Sequence, residues 1–176
     1  MTDAADQLAR SWAMLAAPEV AMWSTRRKLL RVVQVALATI GRCDAAGVAL
    51  IGHLGADGEV CTGAAAYRLD QAQQEAGCGP CIDAVASLRV FNVESIADVP
   101  VWPEFRQVAA THGIKSSLAV PLTLHGVAIG RLNLYSKSVN GFEGCERLAG
   151  TFAACVAVAL SAGEGRNDLS SRSAPR

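Results

Sequence analysis

The stretch that decides the fold runs from Ile114 to Ser136 and reads Ile-Lys-Ser-Ser-Leu-Ala-Val-Pro-Leu-Thr-Leu-His-Gly-Val-Ala-Ile-Gly-Arg-Leu-Asn-Leu-Tyr-Ser. Two apolar runs flank His125-Gly126, and glycine at the second turn position supplies the positive φ of a tight hairpin turn. Side chains alternate along a strand, and both resulting faces are largely apolar. We therefore predict the central pair of an antiparallel sheet covered on both sides. Pro121 has no N–H to donate, so it requires a bulge or a position where that donor is not needed.

This turn also predicts which residues face each other across the hairpin. The expected partners are Leu124 with Val127, Leu122 with Ile129, and Val120 with Arg131. In the same interpretation, one face of the sheet carries Leu118, Val120, Arg131 and Asn133. A charge on such an apolar face is costly unless it is paired. Arg131 is thus expected either to form a salt bridge with Asp98 or Glu94 or to anchor an anion.

The composition of the chain limits the classes of protein that it can represent. The chain has 176 residues, 51% of them hydrophobic, which favours one folded domain over general disorder. Its formal net charge is zero, so nothing indicates binding to nucleic acid or to an anionic membrane. No apolar run approaches a membrane span, and the acidic start Met-Thr-Asp-Ala-Ala-Asp has no signal-peptide core. We predict a cytoplasmic protein whose six cysteines are reduced.

Hydrophobic periodicity divides the chain into a helical extension at 1–23, a folded domain at 24–162 and a disordered tail at 163–176. Helices are predicted at both ends of the folded domain, and strands, short helices and the hairpin lie between them. The predicted elements are helices over Ser24–Gly41, Leu69–Ala76, Ile82–Leu88, Trp102–His112 and Phe142–Leu160, and strands over Ala45–Ile51, Glu59–Tyr67 and Val90–Val93. This order predicts an α+β fold with a central antiparallel sheet of five to six strands and helices on both faces.

Four segments together resemble GAF domains. They are Gly77-Cys78-Gly79-Pro80-Cys81-Ile82-Asp83-Ala84, then Asp98 with Trp102-Pro103-Glu104-Phe105, then Gly113 to Leu122, and finally Ile129 to Ser136. The resemblance covers roughly Arg26 to Ala162 and implies a GAF-like, PAS-related fold that senses small molecules. The segments are most similar to actinobacterial GAF domains that precede an RNA-binding ANTAR module. Because only a short polar tail follows Leu160, we expect no ANTAR module and no RNA binding by this chain.

The resemblance implies a ligand pocket between one face of the sheet and the segment joining the second strand to the helix near Trp102. Carried over to this sequence, that segment supplies Tyr67, Leu69, Cys78, Cys81, Ile82, Asp98, Trp102 and Phe105. The sheet residues named above, Leu118, Val120, Arg131 and Asn133, complete the expected pocket. The nature of the ligand does not follow from the sequence. A haem ligated by His53, His112 or His125 stays open as a cofactor, without a motif that supports it.

Cys78-Gly79-Pro80-Cys81 has the same four residues as the thioredoxin active site. A redox motif of that kind follows a buried strand, whereas the preceding residues here are the polar Gln71–Glu75. We therefore interpret the segment as a turn that opens a helix. No second Cys or His pair follows at a matching interval, so no metal site is predicted. The remaining cysteines are expected to be small buried side chains, namely Cys43, Cys61, Cys145 and Cys155.

The leading functional hypothesis is a non-enzymatic sensory or regulatory GAF domain in signal transduction, with a separate output protein as a further partner. The first alternative is a redox enzyme or thiol sensor that uses Cys78 and Cys81 and resembles GAF-fold methionine sulfoxide reductases. The second alternative is a dimerisation module whose pocket is closed. In all three cases, the apolar first and last helices predict a homodimer. Its expected interface residues are Leu30, Leu37, Ala149, Ala153 and Ala157.

Overall fold

The computed structural model describes residues 4–52 and 58–161. Helices enclose a single sheet from both sides. In chain order the elements are α1 (Ala4–Leu15), a 3-10 helix (Pro18–Met22), α2 (Thr25–Thr39), β1 (Ala45–Leu50), β2 (Glu59–Cys61), α3 (Ala64–Ala76), α4 (Pro80–Ser87), β3 (Phe91–Val93), α5 (Pro103–Thr111), β4 (Ser116–Leu124), β5 (Val127–Ser136) and α6 (Glu146–Ser161).

The sheet contains five strands among the described residues, in the order β2-β1-β5-β4-β3, and every neighbouring pair is antiparallel. The predicted α+β architecture with an antiparallel sheet between helices is therefore confirmed. The hairpin β4–β5 contributes the longest strands, and β5 occupies the middle of the sheet.

The hairpin turn lies where the sequence predicts it. His125 and Gly126 have φ values of 51° and 79°, and a two-residue turn of this hand requires positive φ at both positions. Leu124 faces Val127 as predicted, but the register shifts by one residue between Leu122 and Thr123. This irregularity comes directly after Pro121, in agreement with the bulge that its missing N–H requires.

The shift makes two of the predicted partners wrong. Leu122 faces Gly130 instead of Ile129, and Val120 faces Leu132 instead of Arg131. A slip of one residue turns side chains to the opposite face of a strand. Leu118 and Val120 consequently belong to the apolar core on one face, and the Asn133 side chain contacts α3 on the other. The prediction that Leu118, Val120, Arg131 and Asn133 share one face is therefore wrong.

The larger core lies between the sheet and the helices α1, α2 and α6. Leu29 and Val33 of α2 reach this core, as does Ile40 directly after the helix, and Phe152 and Val156 reach it from α6. Ser24, where the helix was predicted to begin, caps α2 by accepting a hydrogen bond from the backbone N–H of Arg27 at 3.4 Å. A smaller core on the opposite face joins α3, α4 and α5 to the sheet.

The small-residue stripe on α6 is covered within the protomer. Ala149, Ala153 and Ala157 are at most 1% exposed and belong to the larger core, in which α6 packs against the sheet and against α1. The sequence interpretation placed these alanines in a dimer interface, and their burial within the protomer makes that placement wrong. These alanines are not available as an exposed dimer interface. Leu37 packs partly against the core, and Leu30 is 39% exposed.

Several element boundaries differ from the predicted ones. The second strand ends at Cys61 instead of Tyr67, and α3 begins at Ala64, because three consecutive alanines strongly favour a helix. α3 ends at Ala76, as predicted, and Gly77 follows it in a left-handed conformation with a φ of 65°. The last helix begins at Glu146, after a turn that includes Gly144 with a φ of 70°.

Two features of the sequence predictions lie outside the described residues: the haem candidate His53, and the disordered tail at 163–176. Within the part of the chain that is described, no helix is both long and apolar enough to cross a membrane.

The buried stripe on α6 generates a first prediction. Ala153→Arg places a charged, larger side chain at a fully buried site and is expected to destabilise the protomer by more than about 3 kcal/mol. Ala154→Arg, one residue along on the exposed side of α6, should change the stability little. Urea unfolding combined with sedimentation measures both effects. A folded Ala153→Arg protein that differs only in its oligomeric state would contradict the burial of Ala153 in the core of the protomer.

Candidate functional site

The face of the sheet toward α3 and α4 combines small residues on β1 with polar residues on β5. In one row across the strands, Cys61 pairs with Gly47, Gly47 with Asn133, and Asn133 with Ala119. The adjoining rows place Arg131 beside Ala49 and Tyr135 beside Ala45. Because β1 has only glycine and alanine at these positions, the longer side chains of β5 have room above it. Any Cβ at Gly47 would lie 2.1 Å from Oδ2 of Asp70.

Asp70 of α3 is the centre of a buried polar cluster on this face. Its Oδ1 accepts a hydrogen bond from Nδ2 of Asn133 at 2.8 Å and a second one from the hydroxyl of Tyr135. The thiol of Cys61 lies 3.6 Å from the other carboxylate oxygen and donates to it. Asp70, Asn133 and Tyr135 are all almost completely buried. The carboxylate therefore joins α3 to the central strand.

Gln73, one helical turn after Asp70, joins the start of α4 to the same cluster. Its Oε1 accepts a hydrogen bond from the backbone N–H of Cys81 at 2.9 Å, and its Nε2 donates to the hydroxyl of Tyr135 at 3.2 Å. Gly79 has a φ of 148°, and a Cβ there would lie 2.4 Å from Cγ of Gln73. This close approach explains why glycine stands between Cys78 and Pro80. The segment forms a turn that opens α4, as predicted.

Trp102 lies at the outer side of α4. It precedes α5 in a left-handed conformation with a φ of 57°. Its Nε1 donates a hydrogen bond to Oδ2 of Asp83 at 3.0 Å, and its ring meets Phe91 edge-on at 6.3 Å. Because Asp83 belongs to α4 and Phe91 to β3, Trp102 holds these two elements together. The ring is only partly buried.

The structure brings some of the predicted pocket residues together and separates others. Cys81, Ile82, Arg131 and Asn133 lie on or beside the α3–α4 face, and Leu69 and Phe105 belong to the small core behind it. Tyr67 and Asp98 are exposed, and Cys78 is half-buried at the turn. Leu118 and Val120 lie on the opposite face, for the reason given above. Asp70, Gln73 and Tyr135 are missing from the predicted set.

Three buried polar atoms on this face have no hydrogen-bond partner among the described residues. They are Oγ of Ser117, Nε of Arg131 and Oδ1 of Asn133. Ser117 and Asn133 are each 1% exposed, and Ser117 pairs with Tyr135 across the hairpin. Buried polar groups in folded proteins nearly always have a partner. For Arg131, the sequence predicted either a salt bridge with Asp98 or Glu94 or a role in holding an anion. The described residues show no salt bridge to Glu94 or Asp98, and Nε of Arg131 has no partner among them.

Burial sets the protonation of the groups in the cluster. It raises the pKa of Asp70 from 3.8 to about 6, although the hydrogen bonds from Tyr135 and Asn133 and the nearby Arg131 charge act in the opposite direction. Burial also raises the pKa of the Cys81 thiol to about 12 and the pKa of the Tyr135 hydroxyl well above 10. The Cys81 thiol is therefore neutral at pH 7, and a neutral thiol is a poor nucleophile.

One group of potential metal ligands adjoins the cluster. The ligand atoms of Glu59, Cys61 and Asp70 all lie within 4.8 Å of one another. Burial and the two carboxylates raise the pKa of the Cys61 thiol, so it stays protonated as the donor to Asp70. A metal ion would have to displace this proton, so in the metal-free protein the Cys61 thiol belongs to the hydrogen-bond network of Asp70.

The comparisons with known proteins identify the family. The family model described as "GAF domain" matches residues 24–161, so the chain belongs to the GAF domain family. No curated protein matches the sequence.

Solved structures with the same fold include both enzymes and regulatory domains. The free methionine-R-sulfoxide reductase of Neisseria meningitidis, in complex with its substrate, has a TM-score of 0.65 at 16% identity and covers 93% of this chain and 91% of its own. The GAF domain of the Acinetobacter phosphoenolpyruvate-protein phosphotransferase has a TM-score of 0.64 at 17% identity, and the match covers 96% of this chain and 99% of that domain's chain. A further match is the reduced reductase of Staphylococcus aureus, with a TM-score of 0.61, 13% identity and coverage of 91% and 96%.

These neighbours correct one prediction. The sequence interpretation held that the chain is not an enzyme, but the same fold carries the catalytic sites of free methionine-R-sulfoxide reductases. A GAF fold therefore does not exclude catalysis.

The raised pKa of Asp70 generates a second prediction. Because the folded protein binds this proton more tightly than the unfolded chain, the contribution of Asp70 to stability is fully present below pH 3.8 and is lost as the pH rises through about 6. The stability of the native protein relative to Asp70→Asn should fall by roughly 2–3 kcal/mol between pH 4 and 7. Urea unfolding across this range measures the difference.

Glu146 provides a control of opposite sign for this experiment. The hydrogen bond from Asn92 lowers the pKa of Glu146, so its contribution is lost as the pH falls. The difference between the native protein and Glu146→Gln should therefore be small and should run the other way. A native–Asp70→Asn difference that does not change with pH would show that the buried carboxyl is not proton-linked to folding.

The buried thiol generates a third prediction. In the folded protein at pH 7.5, iodoacetamide should modify Cys81 far more slowly than the half-buried Cys78, because Cys81 is inaccessible and neutral. In urea the two rates should become similar. Peptide mass spectrometry over a time course gives both rates. Equal rates in the folded protein would restore support for thiolate chemistry at Cys81.

Proposed function

We propose that this GAF domain is a sensory or regulatory module that binds a polar small molecule at the α3–α4 face of its sheet. The observation that carries the proposal is the alignment of three unpartnered buried polar atoms, on Ser117, Arg131 and Asn133, along β4 and β5. Apolar residues at these positions would stabilise the fold at least as well, because an unpaired buried polar atom is costly. A ligand that pairs with these atoms gives them a function.

The chemistry of the face favours a ligand that carries an acceptor or a negative charge at one end. Arg131 offers its Nε–H, Asn133 offers a carbonyl oxygen, and Ser117 offers a hydroxyl that can both donate and accept. Asp70 adds a second charge near Arg131, with a pKa of about 6. A ligand with one anionic and one hydrogen-bond-donating group matches this pattern. Cys81 and Ile82 at the start of α4 provide an apolar side for the remainder of the ligand.

Movement of α4 is the proposed response to the ligand. The start of α4 is tied to α3 by the hydrogen bond from Cys81 to Gln73, and Trp102 ties its middle to the α5 segment. Both ties are single hydrogen bonds of modest strength. A ligand that competes for Gln73 or Asn133 would shift α4, and the change would reach α5 through Trp102.

The proposal also covers the location, the partner and the oligomeric state of the domain. We propose a cytoplasmic signalling protein, related to the actinobacterial GAF domains whose segments it resembles, that acts on a separate output protein. We retain a homodimer, but place its interface on exposed apolar side chains of α1 and α6 in place of the buried alanines. Trp12 is 41% exposed, and Val158 is 49% exposed. Sedimentation of Val158→Glu, which should be monomeric and stable, tests this placement.

The fourth prediction tests the ligand site. A panel of polar metabolites is screened by thermal unfolding, together with native mass spectrometry of freshly purified protein. A ligand at 100 times its dissociation constant stabilises the fold by about 2.7 kcal/mol and should raise the midpoint by about 5–10 °C. Arg131→Gln and Ser117→Ala are expected to weaken this response at least tenfold, since each loses a hydrogen bond to the ligand.

The variants separate binding from folding. Ser117→Ala removes an unpartnered buried hydroxyl, so it should leave the stability of the ligand-free protein unchanged or slightly raise it. Arg89→Gln, on the exposed surface after α4, is the matched control for Arg131→Gln. A ligand whose effect is unchanged in both site variants would place its binding elsewhere. A panel without any stabilising compound would remove the support for the proposal.

A further inference from the structure

A cavity lies beside α5, and none of its described lining residues belongs to the cluster around Asp70. It has a volume of about 300 Å³, and its floor consists of Ile96 and Ile114, which are 3% and 4% exposed. Ala110 of α5 and Val139, after β5, form its sides. We call this space the α5 cavity. Its volume is at the lower end of the range of small-molecule sites, and its walls are mainly apolar, as in such sites.

Two cationic side chains, Arg106 and Lys115, line the α5 cavity, and none of its described lining residues is acidic. Arg106 lies one helical turn before Ala110, so both side chains emerge on the same side of α5. The Nη2 of Arg106 donates to the backbone oxygen of Ala97 at 3.1 Å, which holds the guanidinium at the cavity. The Nε of Arg106 is buried and has no partner among the described residues.

We propose that the α5 cavity binds a small organic anion with an apolar body, specifically a monocarboxylate. The carboxylate pairs with the unpartnered Nε–H of Arg106 and with the ammonium group of Lys115, and the hydrocarbon part lies on Ile96 and Ile114. A guanidinium group suits a carboxylate because its planar array of N–H groups matches the two oxygens. The apolar floor favours a ligand with a hydrocarbon chain over inorganic phosphate, which gains nothing from burying it.

This site differs from the proposed ligand site in position and in chemistry. The described lining residues of the α5 cavity carry two positive charges and no carboxylate, whereas the face near Arg131 combines charges of both signs and several hydrogen-bonding groups. The two sites can therefore be tested independently, with Arg106 and Arg131 as the distinguishing residues.

Two-dimensional ¹H–¹⁵N NMR with octanoate as the probe tests the proposal. We expect saturable shifts centred on Ile96, Ala110 and Lys115, with little change at Asn133 or Tyr135. Octanol, which has the same chain without the charge, should bind at least tenfold more weakly, and so should phosphate, which lacks the chain. No saturable shift with octanoate at millimolar concentration would overturn the proposal, as would equal binding of octanol.

Two variants remove different parts of the site. Arg106→Gln deletes the charge and should weaken octanoate binding about tenfold or more. Ala110→Phe fills the cavity from an exposed helix position, so it should abolish binding while the protein stays folded. Arg89→Gln is the matched surface control and should bind like the unchanged protein. Octanoate binding that survives both Arg106→Gln and Ala110→Phe would show that the anion binds elsewhere.

Discussion

The α3–α4 side of the molecule depends on one buried carboxylate. Asp70 accepts hydrogen bonds from Asn133 and Tyr135 of the central strand and from the thiol of Cys61 on the edge strand. A buried charge is costly unless such partners surround it. Its neighbours are arranged accordingly: β1 has glycine at 47 because Oδ2 occupies the space of a Cβ, and Gln73 extends the network to the backbone of α4. The arrangement thus connects α3, the central strand and the start of α4 through one hydrogen-bond network.

The irregularity after Pro121 decides which side chains meet that carboxylate. Without the shift between Leu122 and Thr123, the side chains of β4 would lie on the opposite face relative to β5. With it, Leu118 and Val120 complete the core under α2 and α6, and Ser117 joins Tyr135 on the polar side. The register shift that follows Pro121 thus determines which residues of the hairpin face the larger apolar core and which face the polar cluster around Asp70.

Most of the fold could be predicted from local sequence signals, such as turn and helix-end residues. Contacts between segments that are distant in the sequence could not be predicted in this way. The turn at His125-Gly126, the end of α3 at Gly77 and the cap at Ser24 follow from the conformations of one or two residues. The packing of α1 on α6 and the pairing of Asp70 with Tyr135, 65 positions apart, have no such signal. Tyr135 could have been predicted as a site residue, because it alternates with Arg131 and Asn133 along the same strand. Asp70 could not have been predicted, since one acidic residue in a polar, glutamine-rich helix is typical of a solvated surface.

The packing of the N-terminal helix has a consequence for the limits of the domain. The family match begins at residue 24, yet Leu15 and Val20 are buried, and α1 packs against α2 and α6. The packed unit is therefore larger than the region that defines the family. A partner that displaced α1 would expose the apolar part of the larger core that Leu15 closes. The first helix thus acts as a built-in cover, whose removal would change the surface chemistry of the domain without altering its sheet.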